Sequence, residues 1–320
     1  MTEVTNVRAL MVVRDEEDIV RSSVELVLRW ADTVAIFDTG SVDSTTEIVR
    51  EMARNRRRVL FLGREEVRFS QSTVRPYVFK LARKEFEAGD WVVLCDADEF
   101  WLVAPQVVLA RRDFSWYNSL FIQHYNVLYE RDVWEQREHI ERFWPESLEE
   151  LSPLCVEIEK SEPRVFRYRS KMKWPSGANR PRFPGFPYRG RIPVLHFKYR
   201  SRRQYQKRRI LRSEMYETAA KKNEMPDGHH WAVDGENPVT SEGDTRTVEN
   251  YKIETLKHSD GSVRGKSDLA TLAKSCFYAA GGAYLGDLLV GGTVDEPEAV
   301  SEDRQNRIRL QYRSLGDRVE

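Results

Sequence analysis

The chain has 320 residues, of which 40% are hydrophobic, so it is long enough for one large domain or two modest ones with a sizeable core. Its 51 basic and 51 acidic residues cancel, and its three widely separated cysteines lack metal-ligand spacing, so composition favours neither a nucleic-acid partner nor a zinc site. Because the start lacks a signal-peptide pattern and no apolar run approaches the roughly 20 residues of a membrane span, we expect no transmembrane segment and a cytoplasmic protein, with peripheral membrane contact left open.

The first hundred residues alternate between strand and helix patterns. Short apolar runs predict strands over residues 7–13, 33–37, 59–62 and 92–95, and helical spacing predicts helices over residues 16–30, 45–54 and 70–87. This alternation predicts a parallel sheet with right-handed crossovers. The carboxyl ends of its strands would meet at one edge, which is where open α/β sheets bind ligands.

After residue 105 the pattern changes. We predict strands over residues 114–127, 164–168 and 193–197, a charged helical excursion over 129–150, helices over 201–222 and 267–289, and at most a surface helix over 291–320. Residues 174–191 are rich in proline, glycine and arginine, which predicts a loop able to fold over a phosphate-bearing ligand. Trp174 opens this loop and is a candidate for stacking on a sugar from a lid.

The strongest functional pattern is the break of an apolar strand into Asp96, Asp98 and Glu99. On an extended chain the carboxylates of Asp96 and Asp98 point to the same side, and the small Ala97 between them leaves room for a ligand. Mg²⁺ and Mn²⁺ prefer hard oxygen ligands and usually take one or two carboxylates together with phosphate oxygens and water. The alternative is a solvated turn after the strand.

Two residues end the other strands of this predicted sheet. Asp38 ends the second strand and should reach the same edge as Asp96, where it could accept a hydrogen bond from a nucleobase or a ribose hydroxyl. A helix cap or turn residue is the alternative for Asp38. Arg14 ends the first strand, where it could meet a phosphate or simply precede a helix whose first turn is acidic.

A histidine and several cations follow the last predicted strand. His196 is a competent ligand for Mn²⁺, although a hydrogen-bonded core or edge histidine is the alternative. Lys198 and Arg200, with the neighbouring Arg202 and Arg203, could hold a diphosphate leaving group, or they could form the solvated start of a basic helix.

Together these segments resemble the family 2 glycosyltransferases of the GT-A fold, and the resemblance covers roughly residues 5–215. The matching segments are Val13-Arg14-Asp15-Glu16-Glu17, Asp38-Thr39-Gly40-Ser41-Val42-Asp43 and Asp96-Ala97-Asp98-Glu99-Phe100, with residues 161–167 and 196–201 similar to a bacterial subgroup. The resemblance implies an α/β fold with a Rossmann-like, mixed and mainly parallel sheet flanked by helices. It also implies a GT-A domain over residues 5–200, with a nucleotide-sugar-binding half (5–105) and an acceptor-side half (106–200), followed by a mainly helical extension (201–320).

The resemblance further implies a metal-dependent transfer of a sugar from a nucleoside-diphosphate sugar, with a UDP-sugar favoured, to an acceptor hydroxyl with inversion. The acceptor would be a glycan, a small molecule or a lipid-linked molecule, and the cofactor Mn²⁺ or Mg²⁺. The implied metal ligands are Asp96, Asp98 and His196, and the implied donor-binding residues are Arg14, Glu16, Asp38, Ser41, Arg75, Asp96, Lys198 and Arg200. Inversion needs a carboxylate base, for which Glu162 is the first candidate and Glu157 and Glu159 are substitutes; an ordinary charged strand edge is the alternative for all three.

Two other functions stay open at this point. A nucleotidyltransferase could use a similar sheet, but it normally has a glycine-rich first loop, which residues 14–17 lack. A catalytically inactive domain that binds a nucleotide or scaffolds a partner is the third hypothesis. Such a domain would bind without turnover and would tolerate the loss of Asp98.

Overall fold

The computed structural model describes residues 6–67, 71–110, 117–140, 143, 154–158, 161–174, 181, 186–221, 246–247, 263–264 and 302. The strands within these ranges form one mixed sheet of eleven strands, with helices on both faces. The predicted fold class, a mainly parallel α/β sheet flanked by helices, is confirmed.

The amino-terminal half of the sheet is parallel. Its elements are β1 (Val7–Val13), α1 (Val20–Val27), β2 (Thr33–Asp38), α2 (Thr45–Asn55), β3 (Val59–Arg64), α3 (Gln71–Ala82) and β4 (Trp91–Asp96). The strands lie in the order β3-β2-β1-β4, and each pair of neighbours is parallel. The four predicted strands are confirmed because strands covered on both faces carry continuous apolar runs.

The rest of the sheet is mixed. Its elements are β5 (Glu99–Trp101), α4 (Pro105–Leu109), β6 (Tyr117–Val127), α5 (Arg131–Gln136), β7 (Leu154–Glu157), β8 (Glu162–Arg167), β9 (Phe186–His196), α6 (Arg202–Lys221), β10 (Arg246–Thr247) and β11 (Val263–Arg264). β8 lies antiparallel between β4 and β6, β9 runs parallel to β6, and β5 pairs antiparallel with β9. β8 therefore lies next to β4 in the sheet, and the end of β9 pairs with β5, which follows shortly after β4.

Three predictions about this second half are corrected. The expected loop over residues 174–191 contains the first part of β9. The strand accommodates proline because the fixed φ of proline fits extended backbone and because the register between β9 and β6 shifts around Ser119. The helix expected over residues 129–150 is limited to α5 among the described residues. Trp174 is 2% exposed and packs on Phe79 and Phe166, so this side chain belongs to the core.

The region beyond α6 was predicted to be mainly helical, yet two short strands in it pair with the sheet. β10 pairs with β7 and β11 pairs with β9, both antiparallel. The predicted helix over residues 267–289 lies outside the described residues, as does the charged tail apart from Glu302.

The core lies on both faces of the sheet because successive side chains of a strand alternate between the faces. Ala9 and Met11 of β1 face the cluster that contains α1 and α2, whereas Leu10 faces the cluster that contains Phe79 of α3. β1, β2 and β4 are thus covered on both faces, and their pairing places their carboxyl ends side by side. Among the described residues, no helix is both long enough and apolar enough to cross a membrane.

Candidate functional site

The site lies at the carboxyl ends of β1, β2 and β4. The strand register places Val13 opposite Asp38 and Val12 opposite Asp96, so the ends of the three strands lie side by side. The antiparallel pairing of β5 with β9 places His196 opposite Glu99, immediately after the Asp96 to Asp98 turn. The sheet therefore brings Asp38, Asp96, Asp98 and His196 to one edge, as the sequence predicts.

Asp98 and His196 form the center of the site. The Nε2 atom of His196 lies 3.3 Å from Oδ2 of Asp98, while its Nδ1 lies 2.9 Å from Oδ1 of Asn126 on β6. The contact of Nδ1 with the amide oxygen of Asn126 holds the imidazole ring with Nε2 directed at Oδ2 of Asp98. This is the arrangement in which an outer hydrogen bond prepares histidine as a metal ligand.

The same pair suits a divalent cation that is shared with a substrate. Among the residues that the structure describes, no group of three or more His, Cys, Asp or Glu side chains converges as a closed metal cage. Two converging ligands are nevertheless what Mg²⁺ or Mn²⁺ requires when phosphate oxygens and water complete the shell. Burial alone would raise the pKa of Asp98, but His196 and Arg208 lower it well below the usual value of 3.8, so this carboxylate is ionised.

Asp96 is held by two arginines from different elements. Its Oδ2 accepts hydrogen bonds from Arg75 of α3 at 3.2 Å and from Arg164 of β8 at 3.0 Å. Burial raises the pKa of Asp96, but Arg164 and Arg75 outweigh burial and lower the pKa from 3.8 to about 2. The structure thus places the predicted donor-binding residue Arg75 directly against Asp96.

Glu162, the candidate base, belongs to the same network. Its Oε2 accepts a hydrogen bond from Nε of Arg164 at 3.0 Å and lies 3.8 Å from Nη1 of Arg75. Burial raises the pKa of Glu162, whereas the two arginines lower it to below the usual value of 4.5. Its side chain remains 29% exposed, so Glu162 is an ionised carboxylate that solvent or a substrate can reach.

Asp38 lies at the predicted place, but its carboxylate turns inward. Oδ1 accepts hydrogen bonds from the backbone N–H groups of Gly40 and Ser41 and from the Ser41 hydroxyl, and Oδ2 accepts one from the Thr46 hydroxyl. Asp38 is fully buried, so the structure favours the turn-forming alternative for both Asp38 and Ser41. Asp15, which faces this turn, has a φ of 54°, a left-handed conformation that is uncommon outside glycine.

Arg14 and Lys198 lie at the rim of the site. Arg14 donates from Nη1 to the carbonyl oxygens of Thr39 and Val67, and it therefore ties together the loops that follow β2 and β3. Lys198 is mostly buried, and its Nζ lies 5.4 Å from the centre of the Tyr199 ring. Both cations therefore have contacts within the protein, whether or not a ligand is bound.

Glu16 and Arg200 lie behind Asp98. Arg200 is fully buried and donates to both carboxylate oxygens of Asp18, to Glu16 and to the carbonyl oxygen of Phe197. Burial raises the pKa of Glu16 to about 7, although Arg200 and Arg208 lower it. The structure thus gives Arg200 a supporting place rather than the expected place against a diphosphate.

The sequence assigned no role to five residues that the structure places at this site. The carboxylate of Glu99 contacts His124 of β6 at 2.7 Å and Arg164 of β8 at 2.8 Å. The five residues are Glu99, His124, Asn126, Arg164 and Arg208. Only Glu99 had a local signal, since it directly follows the Asp-x-Asp pattern; the others meet the site through long-range pairing.

Asp43 lies beside the acidic residues Asp15 and Glu17, and we expect it to make the stability of the protein depend on pH. Burial, Asp15 and Glu17 raise the pKa of Asp43 from 3.8 to about 8, although Thr45 lowers it by donating hydrogen bonds. The folded protein therefore keeps a proton that the unfolded chain releases near pH 4. This contribution to stability is complete below pH 4 and is lost as the pH rises through about 8.

We expect Asp43→Asn, which cannot ionise, to weaken this pH dependence. Between pH 6 and pH 9 the Tm of the wild type should fall further than that of the variant, by about 2–4 °C for each kcal/mol involved. Thermal unfolding at several pH values measures the difference, with Asp132→Asn at an exposed position as the control. Parallel pH profiles for the wild type and Asp43→Asn would contradict the raised pKa.

Comparison with solved structures gives only distant likenesses. The mannosyltransferase PcManGT from Pyrobaculum calidifontis, in complex with GDP-Man and Mn²⁺, is 13% identical at a TM-score of 0.35, and the match covers 90% of this chain and 88% of the PcManGT chain. S. aureus TarS, in complex with UDP, is 13% identical at a TM-score of 0.27, covering 39% of this chain and 36% of the TarS chain, so the likeness spans about a third of TarS. A Helicobacter pylori mannose-6-phosphate isomerase is 9% identical at a TM-score of 0.25, covering 39% of this chain and 52% of its own. Scores this low, shared with an isomerase, carry no argument about function.

Comparison with curated proteins gives no match. The family model of glycosyl transferase family 2 matches residues 9–154, which contain most of β1, the strands β2 to β6 and the Asp96 to Asp98 turn. This confirms the family that the sequence motifs predict. Residues 9–154 therefore form a segment that matches glycosyl transferase family 2, the family that its motifs resemble.

Proposed function

We propose that the protein is a metal-dependent glycosyltransferase that moves a sugar from a nucleoside-diphosphate sugar to an acceptor hydroxyl with inversion. The observation that carries this proposal is the convergence of Asp98 Oδ2 and His196 Nε2, 3.3 Å apart at the sheet edge that binds ligands in α/β folds. The family 2 domain supports the reaction class. The favoured donor is a UDP-sugar, and the acceptor is a glycan, a small molecule or a lipid-linked molecule that binds against residues 106–200.

Asp98 and His196 would hold the cation, and Asp96 would contact the ribose or the cation from the neighbouring position. A divalent ion bound there would supply positive charge to the diphosphate leaving group. A ligand set with one imidazole favours Mn²⁺ over Mg²⁺, because Mg²⁺ prefers oxygen ligands alone. Arg75 and Arg164 keep the Asp96 carboxylate fixed and ionised for this role.

Glu162 would act as the general base. The oxygen of the acceptor hydroxyl forms a bond to the anomeric carbon while the bond from that carbon to the diphosphate oxygen breaks. The proton of the hydroxyl passes to the carboxylate of Glu162. Because Arg164 and Arg75 lower the pKa of Glu162, the base is available throughout the neutral pH range.

The first test measures ligand binding by thermal shift with and without Mn²⁺. The ligands are the nucleoside diphosphates and triphosphates of each base. We expect one diphosphate to stabilise the wild type in the presence of Mn²⁺, since a ligand at 100 times its Kd adds about 2.7 kcal/mol. The added stability should disappear in Asp98→Asn and in His196→Gln, because each loses one of the two proposed ligands.

Asp132→Asn is the control because it makes the same chemical change at an exposed position of α5. Shifts with triphosphates alone would replace this proposal with a nucleotidyltransferase. A Mn²⁺-dependent shift that survives both Asp98→Asn and His196→Gln would place the metal elsewhere. Metal-dependent binding without turnover on any donor would favour an inactive nucleotide-binding domain.

A further inference from the structure

Arg208 enters the site from α6, a helix outside the family 2 domain. Its Nη2 lies 2.8 Å from Oδ2 of Asp98 and 2.9 Å from Oε1 of Glu16, and its Nη1 lies 3.0 Å from the carbonyl oxygen of Lys198. One guanidinium therefore joins the loop after β1, the Asp96 to Asp98 turn and the segment after β9. Its side chain is largely buried.

The oxygen that Arg208 contacts is the one that faces His196. Oδ2 of Asp98 lies 2.8 Å from Arg208 Nη2 and 3.3 Å from His196 Nε2. A divalent ion bound to that oxygen and to Nε2 would bring its charge close to the guanidinium, and like charges at such a separation repel strongly where little water screens them. Arg208 and a metal ion cannot both keep their best contact with Asp98.

Arg208 also has a use once the metal is bound. A planar guanidinium matches the geometry of phosphate oxygens and binds them through two hydrogen bonds. The contacts of Arg208 with Glu16 and with the Lys198 carbonyl would hold the side chain at the site while it leaves Asp98. Arg200, which the sequence offers as a diphosphate ligand, is fully occupied by Asp18 and Glu16 and cannot take this role.

We infer that Arg208 pairs with Asp98 before the donor binds and competes with the divalent ion for that carboxylate. Once the metal ion is bound, Arg208 binds the donor diphosphate. This inference rests on the proposed function. It assigns to α6 a residue that contacts the donor, and it links metal binding to the position of that side chain.

The test compares Mn²⁺ binding and nucleotide binding in Arg208→Gln and the wild type. Free Mn²⁺ is measured by electron paramagnetic resonance during a titration with protein and without nucleotide. We expect Arg208→Gln to bind Mn²⁺ alone about tenfold more tightly, because the competing charge is gone. With Mn²⁺ saturating, we expect calorimetry to show about tenfold weaker UDP binding, because the diphosphate loses its guanidinium partner.

Arg209→Gln is the matched control because Arg209 is the next residue of the same helix and is exposed. Arg208→Lys keeps the charge without the planar fork, so it should resemble the wild type for Mn²⁺ alone and stay weaker for UDP. A Mn²⁺ affinity that is equal in the wild type and Arg208→Gln would overturn the inference while leaving the proposed function intact. Absence of Mn²⁺ binding in all of these proteins, with or without UDP, would overturn the proposed metal dependence and this inference with it.

Discussion

Replacing Arg200 with methionine is expected to lower the free energy of unfolding by about 3–5 kcal/mol, the usual cost of removing one partner of a buried ion pair. Arg200 is fully buried and donates to Asp18 at 2.7 and 2.9 Å and to the Phe197 carbonyl at 3.0 Å, in addition to Glu16. Methionine fills a similar volume but leaves the carboxylates of Asp18 and Glu16 without this cation. Chemical denaturation of the purified proteins measures the loss.

Arg202→Met is the matched control for this substitution. Arg202 lies two residues away, its side chain is 46% exposed, and its ion pair with Glu138 is 3.4 Å long. Exposed pairs of this kind contribute about 0–1 kcal/mol. Adding Asp18→Asn to Arg200→Met should recover part of the lost stability, because it removes one of the unpaired charges. Equal effects of Arg200→Met and Arg202→Met would show that Arg200 does not hold the site together.

Arg200 also shows where sequence reasoning reaches its limit. The sequence around it is a run of basic residues, and nothing in their spacing separates the buried Arg200 from the exposed Arg202 or from Arg208. Their partners lie far away in the chain, since Asp18 precedes Arg200 by 182 residues and Asp98 precedes Arg208 by 110. Long-range ion pairs leave no local pattern, so the sequence indicated a cationic region but not the role of each cation.

The sheet edge was predictable for the opposite reason. β1, β2 and β4 are covered on both faces, so each carries an apolar run that ends where the polar site begins. Parallel pairing then fixes Asp38 and Asp96 at neighbouring positions without any information about side chains. The strand pairing does not fix the direction in which a carboxylate points. Asp38 lies at the predicted place, yet three donors from its turn and the Thr46 hydroxyl of α2 hold its carboxylate inward.

The acceptor-side half was harder to predict because α4 and α5 are short and, among the described residues, no helix separates β7, β8 and β9. β8 and β9 reach their places through pairing with β6, which joins residues about 40 to 70 positions apart. The proline-rich stretch before His196 gave a loop signal, although part of it forms β9. The burial of Trp174 was likewise not predictable from the sequence, because it depends on contacts with Phe79 and Phe166, which are distant along the chain.

Glu162→Gln is expected to lower kcat by about 10²–10⁴-fold, the usual contribution of a positioned general base. Glutamine keeps an oxygen that Arg164 can contact, so Asp96 and its two arginines should stay in place. The substituted side chain can no longer accept the proton of the acceptor hydroxyl. Release of nucleoside diphosphate from the donor, in the presence of an acceptor found by screening, measures the rate.

Glu157→Gln is the matched control, because Glu157 ends β7 in the same half of the sheet and is exposed. Affinity for the nucleoside diphosphate with Mn²⁺ should be the same in Glu162→Gln, Glu157→Gln and the wild type. If Glu162→Gln weakened nucleotide binding and kcat together, the role of Glu162 would be to hold Arg164. Near wild-type turnover in Glu162→Gln would transfer the role of base to another carboxylate.

The pH dependence of turnover tests whether the activity depends on an ionised Glu162. Because Arg164 and Arg75 lower the pKa of Glu162 below 4.5, the wild type should keep a constant kcat from neutral pH down to about pH 5 and lose activity only below it. The residual activity of Glu162→Gln should lack this acidic limb, since its side chain does not titrate. A limb that persisted in the variant would belong to the titration of another group and would contradict the assignment to Glu162. In the proposed reaction the two arginines would make Glu162 a weaker base but keep it ionised, a combination that suits a step in which the diphosphate departs as the hydroxyl proton is removed.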